Sequence, residues 1–152
     1  MDDILRKGVR GNMADHLKLS VPGKPDYLGV VRLAVASAAN AAGFSMEAVD
    51  DITIAVTEVC EHVFCSENQS TYEVSCDMDE SGMTISIDET GRDSREIESM
   101  KPCFCLPMRR FIPPRYDPSA YMIMLRALMD EVNIFSCREG DDVLVRMIKL
   151  LK

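Results

Sequence analysis

The stretch Asp50-Asp51-Ile52-Thr53-Ile54-Ala55-Val56-Thr57-Glu58-Val59-Cys60-Glu61-His62-Val63 decides how the rest of this chain is read. Val49, Ile52, Val56, Val59 and Val63 recur at steps of three and four, the period of a helix with one apolar face. The other side carries Asp50, Asp51, Thr57, Glu58, Glu61 and His62, so the sequence predicts a polar outer face there. Ser45 stands where an N-cap is needed, and Glu47 in the first turn suits the positive end of the helix dipole.

Working upstream, Gly43 ends a preceding helix over 26–42, marked by Leu28, Val31, Val35, Ala38 and Ala42. Pro22-Gly23-Lys24-Pro25 separates that helix from Leu17, Leu19 and Val21, whose alternation with polar neighbours is a strand signature. Residues 1–15 are polar, contain Gly8 and Gly11, and read as a loose arm before a single domain over 16–152. Downstream, Tyr72, Val74, Cys76 and Met78 alternate, as do Met83, Ile85 and Ile87, and Asp79-Glu80-Ser81-Gly82 joins them as a hairpin. Residues 89–117 hold Gly91, Pro102, Pro107, Pro113 and Pro114 and read as one long irregular loop. A third helix is expected over 119–131, then two strands over 132–137 and 143–151. Helices gathered on one face of a mixed, mostly antiparallel sheet would bury every apolar stripe, which makes the fold an α+β two-layer sandwich.

Charge and composition narrow the function. The chain has 152 residues and a formal net charge of −8, which leaves no basic face for a phosphate backbone, so a nucleic-acid partner is not expected. Met1-Asp2-Asp3 opens acidic with no apolar segment behind it, and no run approaches a membrane span, so a cytoplasmic location away from membranes is expected. The six cysteines, Cys60, Cys65, Cys76, Cys103, Cys105 and Cys137, are irregularly spaced and read as reduced thiols.

Four separated blocks resemble the anti-sigma factor serine kinases of the histidine-kinase-like ATPase superfamily. They are Leu19–Leu33 with its Val21-Pro22-Gly23-Lys24-Pro25 turn, Asp50–Cys60, Leu128–Val132, and Val145–Leu150. The resemblance implies the Bergerat-type sandwich of that superfamily, with the 89–117 loop as a lid over a nucleotide site. In the family a helical Glu activates the attacking hydroxyl, and an Asn four residues later holds the magnesium of ATP. Glu58 matches the Glu, but His62 stands at the Asn position, and magnesium prefers oxygen ligands. Asp88 matches the adenine-binding Asp, and Gly91 is the one glycine left in the turn after it. Pro118, Ser119 and Tyr121 occupy the positions of the phosphate-binding glycines, and Asp142-Val143-Leu144 lacks the family's adenine-contacting threonine.

These departures predict a regulator that binds a sigma factor or an anti-anti-sigma protein, with an impaired ATP site and no cofactor of its own. The alternative is an active serine/threonine kinase of an anti-anti-sigma factor, using ATP and magnesium, with Glu58 as base and His62, Asp88 and Gly91 around the nucleotide. The family likeness also implies a homodimer. His62, Cys65, Cys103 and Cys105 form a further candidate set, since one imidazole and three thiolates suit tetrahedral zinc.

Overall fold

The structure, a computed structural model, describes residues 15–65, 70–89, 101–103, 118–136 and 143–152. The expected arm is therefore outside the described residues except for Asp15, which opens strand β1 (Asp15–Pro22). A single 3-10 turn, Pro25–Tyr27, leads into α1 (Leu28–Ala41). The next helix, α2 (Met46–Val59), starts as its sequence dictates: the Ser45 hydroxyl accepts the Ala48 N–H at 3.2 Å. Strands β2 (Thr71–Met78) and β3 (Gly82–Glu89) form the expected hairpin. Then come β4 (Lys101–Cys103), α3 (Pro118–Leu128), β5 (Glu131–Ser136) and β6 (Val143–Leu150).

The six strands lie in the order β1-β2-β3-β6-β5-β4. Among the described residues all five ladders are antiparallel, so the sheet there is not mixed as the sequence suggested. The cause is the placement of β6. The chain leaves β3, crosses through α3 and returns as β5, then folds back as a β5–β6 hairpin that inserts β6 between the two. β3 and β5 thus run the same way but never touch, and the antiparallel β6 pairs with both. β4 was not expected, because it falls in the stretch read as one irregular loop. It contains Pro102, which lacks an N–H and is tolerated because β4 is the last strand among the described residues.

Alternation along the strands sends one set of side chains toward the helices. Tyr72, Val74 and Cys76 of β2, Met83, Ile85 and Ile87 of β3, and Val143, Val145 and Met147 of β6 are all buried. They meet Val31 and Val35 of α1, Ile52, Val56 and Val59 of α2, and Leu125 of α3 in one core. Each such side chain contributes roughly 1.5–3 kcal/mol by leaving water. Thr57, expected on the polar face, is buried instead, and its hydroxyl donates to the Thr53 carbonyl at 2.8 Å. The short side chain can satisfy itself on its own helix, so it enters the core at little cost.

The hairpin turn is fixed by one carboxylate and one glycine. Asp79 Oδ1 accepts from the Ser81 hydroxyl at 2.6 Å, the Ser81 N–H at 2.8 Å and the Gly82 N–H at 3.1 Å. A Cβ on Gly82 would come within 2.2 Å of the Lys149 carbonyl oxygen, so only glycine lets β6 lie against the start of β3.

Candidate functional site

Helix α2 does not stop at Val59 but widens into a π-turn over Cys60–Phe64, closed by the Cys65 N–H donating to the Cys60 carbonyl at 2.9 Å. Single π-turns inside helices are uncommon and recur at functional sites. This one buries Cys60, Val63, Phe64 and Cys65 against the sheet and leaves Glu61 and His62 at the surface side.

Glu58 and His62 meet across that junction, with Glu58 Oε2 3.2 Å from His62 Nε2. Glu61 joins them: one ligand-type atom from each of Glu58, Glu61 and His62 lies within 4.8 Å of the others. Residues at i, i+3 and i+4 share a helix face, so this convergence follows from the local chain. The sequence marks Glu61 only as part of a polar face, and its spacing from Glu58 and His62 is the signal that singles it out.

Tyr121, from the first turns of α3, closes the inner side. Its ring meets the His62 imidazole edge-on, with centroids 5.6 Å apart and planes at 84°. Tyr121 is only 3% exposed, and its hydroxyl completes no hydrogen bond. Burial, then the charges of Glu58 and Glu61, push its phenol well above the ordinary tyrosine value. His62 Nδ1 is a second buried polar atom without a hydrogen-bond partner.

The remaining predicted residues are spread more widely. Asp88 sits at the end of β3, opposite Glu73 of β2 and Leu144 of β6. Its Oδ1 accepts the Glu89 N–H at 2.7 Å. Strand parity puts Asp88 on the face of Thr84 and Ser86, opposite to that of the buried Ile85 and Ile87. Gly91, Cys105 and Asp142 lie outside the described residues, as does most of the 89–117 loop. Pro118 is the first residue of α3, and Val143 and Leu144 open β6 as buried residues.

Cys65 is buried near Cys60 and Tyr72 of β2, whereas the Cys103 backbone, in β4, pairs with that of Ile134 in β5. Cys60, Cys65 and Cys76 are free thiols in the core. Burial pushes the Cys60 thiol far up and the Cys76 thiol up to about 12, so both stay protonated and inert at neutral pH.

The magnesium–nucleotide chemistry that the sequence resemblance implies calls for oxygen donors at α2. His62 presents an imidazole where magnesium calls for oxygen, and buried Tyr121 packs directly against it.

The architecture is that of a histidine-kinase-like ATPase fold. The model of the histidine kinase-like ATPase domain matches residues 21–149, and the chain belongs to that family. Within it, the chain is similar to the serine-protein kinase RsbW of Bacillus velezensis, at 23% identity over 90% of this chain and 86% of the relative. RsbW of Halalkalibacterium halodurans is 27% identical over 95% of this chain and 88% of the relative. RsbW of Listeria innocua is 32% identical over 59% of each chain. A solved structure of the RsbU and RsbW domains of Rv1364c from Mycobacterium tuberculosis has the same fold, with a TM-score of 0.60 at 13% identity. It covers 90% of this chain, which spans 32% of that longer one.

Proposed function

We propose that this chain is an anti-sigma-type regulator that works by binding protein partners, with an impaired ATP site. The partners are a sigma factor or an anti-anti-sigma protein, and the chain acts in the cytoplasm as a homodimer. The observation that carries the proposal is the contact between His62 and Tyr121 beside Glu58. Phosphoryl transfer depends on positioning and charge stabilisation, and here an imidazole and a buried phenol stand where a magnesium ligand and phosphate-binding backbone are required. Docking needs neither.

The surface supports docking. Tyr27, Val30 and Leu33 form an i, i+3, i+6 row along the start of α1, exposed by 41%, 49% and 71%. Met46 and Ile54 of α2 are also exposed. Clustered exposed apolar side chains are a feature of protein-binding surfaces. Among the described residues no helix is long and apolar enough to cross a membrane.

A second reading is an active serine/threonine kinase of an anti-anti-sigma factor. It is favoured by Glu58, whose part-exposed carboxylate is held by an imidazole as a general base would be. Magnesium-dependent ATP binding, measured by calorimetry, separates the two. Regulation by docking predicts no heat of binding at millimolar ATP. Micromolar binding that disappears in Asp88→Asn would overturn the impaired site and establish the kinase.

A further inference from the structure

We draw no further inference here: the strongest candidate, the exposed surface patch of Met46, Glu47, Asp50 and Ile54 on the outer face of α2, carries nothing because no observation in the structure shows what covers it.

Discussion

The turn between β2 and β3 and the junction at the end of α2 treat their polar groups in opposite ways. At the turn, one Asp79 oxygen accepts three hydrogen bonds from Ser81 and Gly82, and Asp79 N–H donates to the Gly82 carbonyl at 3.0 Å. At the junction, His62 Nδ1 and the Tyr121 hydroxyl are buried without partners, beside two carboxylates. The first arrangement is what folding alone selects, since an Asp that bonds the backbone of its own turn fixes the hairpin's geometry. The second leaves two buried polar atoms unpaired, at a cost in stability. A segment that carries such a cost marks a place that serves something other than the fold.

Three measurements of thermal or chemical unfolding put that contrast at risk. The largest effect belongs to the sheet. Ile85 is fully buried in the middle of β3, opposite Cys76 and Met147, and Ile85→Ala should cost about 2–5 kcal/mol. A loss below 1 kcal/mol would mean that the core is looser than its burial indicates.

At the junction the sign should reverse. Tyr121→Phe keeps the ring against His62 and removes only the unpartnered hydroxyl, so it should stabilise the chain by about 1 kcal/mol. Destabilisation on the scale of the Ile85 variant would show that the hydroxyl is satisfied in solution and that the contrast is false.

The smallest effect lies at the turn and depends on pH. The Ser81 hydroxyl, then the Ser81 and Gly82 N–H groups, hold the Asp79 carboxyl below its ordinary value of 3.8. A depressed folded value means that the stabilisation is present above the unfolded value and is lost as pH falls through the folded one. Asp79→Asn should therefore flatten the acid limb of the stability curve below about pH 4 and change little at neutral pH. An unchanged acid limb would remove Asp79 from the account of the turn.

What the sequence determined by itself was the set of elements and their apolar faces. The valine spacing of 49–63, the Ser45 cap and the alternation of 72–78 and 83–87 each encode a local period, and local periods survive without knowledge of the partners. The same spacing made Glu58 and His62 legible as a pair. The tertiary structure alone decided the rest. It inserted β6 between β3 and β5, recruited residues 101–103 as an edge strand, and drew Thr57 into the core. It also set Tyr121 against His62, 59 positions away in sequence. None of these has a local signature. Strand order, burial of a borderline polar residue and contact between distant side chains are fixed by how whole faces pack, and only the assembled sheet and helices define those faces.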